Sequence, residues 1–105
     1  MTRLEMNGGI SAEPYPAGVG DQVHIKYSGL LSDRGAEKVF LHVGYGDKWA
    51  ETKDYEMRYT DRGWEANIKV YRGGQMNFCF KDQANNWDNN QGYNWSYPID
   101  PHRFK

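Results

Sequence analysis

A chain of 105 residues fits one domain, and we predict a single domain over residues 1–105 with its core at about 20–99. The charges of the 13 basic and 14 acidic residues nearly cancel, and the basic residues form no run. Both facts disfavour binding to nucleic acid or to an anionic membrane surface. No stretch approaches the ~20 apolar residues of a membrane span, and a lone cysteine excludes an internal disulfide and a multi-cysteine zinc site.

Short segments in which apolar and polar residues alternate recur at intervals of roughly ten residues, with turn residues between them. Residues 7–20 hold four of the twelve Gly and two of the four Pro, and they predict a loop. The tail at 102–105 is expected to be loose. This spacing predicts an all-β, immunoglobulin-like β-sandwich of about seven antiparallel strands. The predicted strands are 22–28, 37–43, 54–60, 64–70, 75–81 and 92–99, with a weaker candidate at 1–6.

The segment from Asn77 to Trp95 begins as an aromatic strand and becomes a loop crowded with asparagine around Trp87. Turns favour Asn and Gly, but an indole ring in water is costly. Amides beside an exposed ring suit a ligand that has both hydroxyls and flat apolar patches, as a sugar does. Trp64 and Trp95 lie within alternating strands, and we predict that both belong to the core.

Motifs of catalysis are absent from the sequence: there is no zinc-protease helix motif, phosphate-binding loop or nucleophile elbow. Cys79 lies between two Phe residues and is predicted to be a packed, inert side chain. Carboxylates near the loops could form a glycosidase pair or hold a structural calcium, but they are expected anyway in a chain with 26% charged residues. We predict no enzyme, no cofactor and no metal site. The carboxylates in question are Glu51, Asp54, Asp82 and Asp88.

Two tryptophans, Trp49 and Trp87, lie in Gly-rich or Asn-rich loops that follow strands, and His42 lies on the polar face of a strand leading into one of these loops. Together they predict a cluster of three rings. The axial C–H groups of a pyranose pack against the face of an indole. Two rings set at an angle would select a curved polymer, and coplanar rings a flat one.

The sequence resembles the starch-binding carbohydrate-binding modules of family 25 and the related family 53 modules. A strand ending in Phe-x-Phe-x-Asp, followed by Trp-Asp-Asn-Asn, is the most specific part of the likeness. The segments that carry it are 23–30, 39–46 with Trp49, 63–66, 77–82, 86–90 and 94–95.

The resemblance implies non-catalytic binding of α-1,4-linked glucans such as starch, glycogen and maltooligosaccharides. It implies stacking on Trp49 and Trp87, a contact from His42, and hydrogen bonds from Asn89 and Asn90, with Asp88 either bracing the loop or touching sugar. It also implies a glucan-active enzyme as a possible partner.

The absence of a signal peptide predicts a cytoplasmic protein, or a secreted one if the chain is an excised module of an extracellular amylase. The alternative function is a protein-interaction sandwich whose loop aromatics bury into a partner.

Overall fold

The computed structural model describes residues 2–100, and nearly all of its regular structure is β-strand. A four-residue helix, α1, follows the third strand, and a 3-10 turn at Asn90–Gly92 follows the ninth. No helix in residues 2–100 has the length and apolarity needed to cross a membrane. The strands are β1 Thr2–Met6, β2 Ile10–Tyr15, β3 Gln22–Tyr27, β4 Val39–Tyr45, β5 Ala50–Glu56, β6 Arg58–Thr60, β7 Gly63–Lys69, β8 Gly74–Asp82, β9 Trp87–Asp88 and β10 Trp95–Ile99, and α1 spans Leu30–Asp33.

The strands form two antiparallel sheets. One has the order β1-β2-β3-β7-β6, and the other has the order β10-β8-β4-β5, with β9 paired to the edge of β8. Strands that are distant in sequence lie side by side, as β3 does beside β7 and β4 beside β8. This is the Greek-key connectivity of an immunoglobulin-like sandwich. The predicted all-β sandwich is therefore confirmed, although residues 2–100 form ten strands, two of them of three residues or fewer, where about seven were predicted.

The core lies between the sheets and is built from the inward-facing residues of alternating strands. Val39, Leu41 and Val43 of β4 have at most 1% exposure, and the side chains between them face outward. The predicted core tryptophans, Trp64 and Trp95, are buried. The inward face of β8 consists of Met76, Phe78 and Phe80, all fully buried.

Two predicted segments were wrong. Residues 7–20 contain β2, which joins β1 and β3. The strand predicted at 54–60 is divided at Met57, so that β5 belongs to one sheet and β6 to the other. Met57 is buried at this crossing, where its backbone N–H donates to the carbonyl of Val39 at 2.9 Å. The predicted loose tail at 102–105 lies outside the described residues.

The outward face of the sheet β10-β8-β4-β5 carries the predicted ring residues and their neighbours. On it, His42 lies opposite Asp54 on one side and Cys79 on the other, and Phe40 lies opposite Lys81. Trp87 is placed beside Lys81 by the short pairing of β9 with β8.

Candidate functional site

The hairpin between β4 and β5 carries two of the three predicted rings. His42 projects from β4, and Trp49 follows the turn that begins at Gly46. The Trp49 N–H donates to the carbonyl of Gly46 at 3.2 Å, which closes the turn. Trp49 has a φ of 53°, in the left-handed region that bulky residues seldom adopt. The hairpin thus holds Trp49 in a backbone conformation that costs free energy. Such strained residues are common at binding sites.

Gly44 provides the surface on which Trp49 packs. A β-carbon on Gly44 would lie 2.5 Å from the Cε3 atom of the Trp49 ring and 3.0 Å from its Cα and Cβ. No side chain other than hydrogen fits there while the indole keeps its place. A register shift between Val43 and Tyr45 accompanies this close approach. The sheet is therefore shaped locally to receive the ring.

Trp87 completes the cluster from the other side of β8, and 45% of its surface is exposed. The ring centroids of His42 and Trp49 lie 5.6 Å apart with their planes at 23°. The centroids of His42 and Trp87 lie 5.3 Å apart with their planes at 84°. The structure thus brings the three predicted rings together, and we call His42, Trp49 and Trp87 the aromatic platform. The Trp87 plane is inclined by 84° to the His42 plane, and the Trp49 plane is inclined by only 23° to the same His42 plane. The planes of the two indoles therefore differ by at least 61°.

A partly exposed carboxylate beside His42 links this ring to Trp87 through Lys81. Asp54 Oδ1 lies 2.5 Å from His42 Nδ1, and its Oδ2 lies 2.8 Å from Lys81 Nζ. The Lys81 ammonium in turn lies over the Trp87 ring, 5.3 Å from its centroid. Since a carboxylate can only accept, His42 Nδ1 carries the proton of this hydrogen bond. In the neutral imidazole, Nε2 is then left as an acceptor for a ligand hydroxyl.

The electrostatics of this link favour a charged Asp54. Partial burial would raise the pKa of its carboxyl, but the hydrogen bonds from Lys81 and His42 outweigh that effect and hold the pKa below its ordinary value of 3.8. The sequence alone assigns no binding role to Asp54 or Lys81. The signal that could have revealed their role is strand register, because Asp54 lies directly opposite His42.

Asn89 and Asn90 lie in the loop after Trp87, where their amides make contacts within the protein. Asn89 Oδ1 accepts from the backbone N–H of Gly92 at 3.0 Å. Asn90 donates to the carbonyl of Asn94 at 3.0 Å and accepts from the Asn7 amide at 2.9 Å. Both also line, with Trp87, a depression of about 420 Å³. Their predicted contact with sugar stays a prediction.

Asparagine is abundant in this loop partly for backbone reasons. Asn85, Asn90 and Asn94 have φ values of 62°, 56° and 57°, in the left-handed region that Asn tolerates better than most residues. The backbone itself therefore favours Asn at these positions, of which only Asn90 was predicted to contact sugar.

The comparisons with known proteins bear on this site. Residues 23–78 match the sequence profile of the "Starch/carbohydrate-binding module (family 53)", and this range contains His42 and Trp49. The chain belongs to this family. It is therefore a starch- or carbohydrate-binding module, and the family is one of binding modules rather than of catalytic domains.

This family 53 module also matches the alpha-amylase of Clostridium acetobutylicum, with 35% identity over 86 residues. The match covers 79% of the module but only 11% of the amylase. No solved structure matches the module.

Asp88 and Asp82, two of the carboxylates near the loops, have structural contacts. Asp88 Oδ2 accepts from the hydroxyl of the buried Tyr27 at 2.6 Å, and that hydroxyl also accepts from the Leu31 N–H at 3.0 Å. Burial, followed by the hydrogen bond to Asp88, strongly raises the pKa of Tyr27. Asp82 accepts from the backbone N–H groups of Ala84 and Asn86, each at 2.9 Å. These bonds fasten the loop that carries Trp87 to the core.

Cys79 is 5% exposed and lies on the platform side of β8, opposite His42. Burial, with the charges of Asp54 and Asp88, raises the pKa of its thiol to about 11. The thiolate, which is the reactive form, is thereby disfavoured, as the prediction of an inert side chain requires. Within residues 2–100, no three His, Cys, Asp or Glu side chains are grouped so as to hold a metal ion.

Proposed function

We propose that the aromatic platform binds α-1,4-linked glucans, that is starch, glycogen and maltooligosaccharides, by stacking glucose rings on Trp49 and Trp87. The observation that carries the proposal is the convergence of three rings from separate segments on one face of the sheet. The family of the module, one of starch- and carbohydrate-binding modules, supports it.

The angle between the indoles favours a curved polymer. A flat chain such as cellulose presents successive sugar faces in one plane, which two rings at least 61° apart cannot both contact. An α-1,4-linked glucan turns from one unit to the next and can offer a face to each ring. The electron-rich indole face attracts the slightly positive C–H groups of the sugar.

Polar groups at the platform complete the proposed site. His42 Nε2 accepts a hydrogen bond from a sugar hydroxyl, while Asp54 fixes the orientation of the imidazole. Asn89 and Asn90 supply amide contacts at the rim beyond Trp87. Because the platform is shallow, we expect affinities of roughly millimolar to micromolar.

The finer family likeness and the partner are part of the same proposal. The site residues resemble those of family 25 modules, as the sequence indicated. The match to a short part of an alpha-amylase supports a glucan-active enzyme as the partner, acting on the polymer that the module holds. In this proposal residues 1–105 form one module.

Affinity electrophoresis in gels containing amylopectin, glycogen, cellulose or xylan tests the proposal. We expect retardation by the two α-glucans and none by the others. Trp87→Ala should abolish the retardation, whereas Tyr59→Ala, which removes a ring of 66% exposure on β6 of the other sheet, should leave it intact. Retardation of Trp87→Ala equal to that of the wild type would refute the site, and retention by cellulose would refute the ligand class.

A further inference from the structure

The depression beside Trp87 lies outside the aromatic platform but shares one ring with it. Three separate parts of the chain form its walls: the turn between β1 and β2, the start of α1, and the loop after β9. Its volume is about 420 Å³. The lining residues used below are Asn7, Leu30, Trp87, Asn89, Asn90 and Gln91.

The walls of the depression are fixed before any ligand arrives. The Asn7 amide donates to Asn90 Oδ1 at 2.9 Å, and the Trp95 indole N–H donates to the carbonyl of Asn7 at 2.8 Å. These two bonds join the β1–β2 turn to the loop and to the buried Trp95. A preformed site avoids the ordering cost that a mobile loop would add to binding.

The chemistry of the lining matches that of a sugar. Leu30 and Trp87 expose 43% and 45% of their surfaces, which supplies apolar area for C–H faces. The amides of Asn7, Asn89 and Gln91 can donate to hydroxyls and accept from them. No lysine or arginine is among the described lining residues, which disfavours an anionic ligand.

We propose that this depression is a second subsite for the same glucan, which takes the glucose units that continue past Trp87. The proposal rests on the proposed function of the platform. Trp87 is the joint between the two parts, since it contacts His42 on the platform and also bounds the depression. A curved chain that turns at this ring leaves the platform on the side where Leu30 and the amides lie.

The experiment compares a short and a long ligand, maltotriose and maltoheptaose, by isothermal titration calorimetry. We expect the wild type to bind maltoheptaose more tightly, because only the long chain reaches both parts. Leu30→Glu places a charge on the apolar wall and should weaken maltoheptaose binding by about tenfold while leaving maltotriose binding unchanged. Ser32→Glu is the matched control, because it adds the same carboxylate to the same helix but faces a different groove, beside Tyr59 and Trp64.

Each outcome decides the matter. A loss confined to the long ligand, absent in Ser32→Glu, supports the subsite. Equal losses for both ligands, or no loss for either, would overturn it, as would equal affinity of the wild type for the two ligands. If the wild type binds neither oligosaccharide, the proposed function of the platform fails as well. Retained maltotriose binding by Leu30→Glu shows that the variant is folded.

Discussion

Gly44→Ala is the smallest change that should disable the platform without touching any of its rings. The new methyl group would lie 2.5 Å from Trp49 Cε3. Ordinary carbon–carbon contact begins near 3.5 Å, so the indole must move by about 1 Å or turn away. Because Trp49 Cα is also only 3.0 Å from the added carbon, a side-chain rotation alone does not relieve the overlap.

We expect this displacement to be expressed in both binding and stability. Trp49 is half-buried and can move outward, so the core need not repack. Losing the stacking contact of one aromatic ring costs about 0.5–1.5 kcal/mol, which corresponds to a loss of affinity of up to about tenfold. Gly44 is itself buried, and an added group at a packed position costs about 1–3 kcal/mol. The free energy of unfolding should fall by an amount near the lower end of that range, because the indole can yield and Ala restricts the unfolded chain.

A double-mutant cycle separates this mechanism from general damage. The four proteins are the wild type, Gly44→Ala, Trp49→Ala and the double variant, with affinity for a maltooligosaccharide measured by calorimetry and stability by urea unfolding. If Gly44 acts by seating Trp49, adding Gly44→Ala to Trp49→Ala should have no further effect on affinity. Wild-type affinity of the Gly44→Ala variant would refute the reasoning. So would a loss of affinity, on adding Gly44→Ala to Trp49→Ala, as large as the loss that Gly44→Ala causes in the wild type.

Two further predictions concern Asp54 and Cys79, which lie on either side of His42. Asp54→Asn should weaken glucan binding by up to about fivefold, because an exposed ion pair contributes at most about 1 kcal/mol. The pKa of Asp54 is lowered in the folded protein. The stability that its charge contributes is therefore present above pH 3.8 and is lost as the pH falls through the lower pKa of the folded state. A carboxyl pKa at or above 3.8, measured by NMR titration, would contradict the contacts with His42 and Lys81. The Cys79 thiol, with its pKa raised to about 11, should resist alkylation at pH 8 in the native protein and react on denaturation, and rapid native labelling would show that it is not covered.

The strand pattern was predictable where one face of a strand is buried and the other is wet. In β4 the burial of Val39, Leu41 and Val43 alternates with exposure, and the sequence alternates with it. β2 was mistaken for a loop because Gly and Pro residues are turn signals: Gly8 and Gly9 precede the strand, and Pro14 lies within it. Its neighbours β1 and β3 nevertheless pair with it, and Ile10, Ser11 and Ala12 are all buried.

Alternation also cannot identify the partner of a strand. Tyr55, Met57 and Tyr59 continue one pattern, yet the chain passes from one sheet to the other at Met57. Tyr59 consequently lies 66% exposed on an edge strand, while Met57 is buried. Such a crossing depends on long-range hydrogen bonds that a short sequence window does not contain.

The rings of the platform could be predicted from loop composition and family likeness, but their supports could not. The role of Asp54 depends on its register opposite His42 and on the reach of Lys81 from the next strand. The role of Gly44 depends on where an indole five residues later folds back. Both are consequences of tertiary structure.

The curvature that the platform favours follows from the places where its two indoles are attached. Trp49 comes from the β4–β5 hairpin, and Trp87 comes from β9 on the far side of β8. His42 lies between the two indoles, and two of its neighbours on the same face are small: Gly44 on β4 and Cys79 on β8. Larger side chains there would lift the rings and let their planes change. In the proposed site, strand order and two small residues would therefore set the preference for a bent polymer, whereas the ring types would determine how tightly the polymer is held.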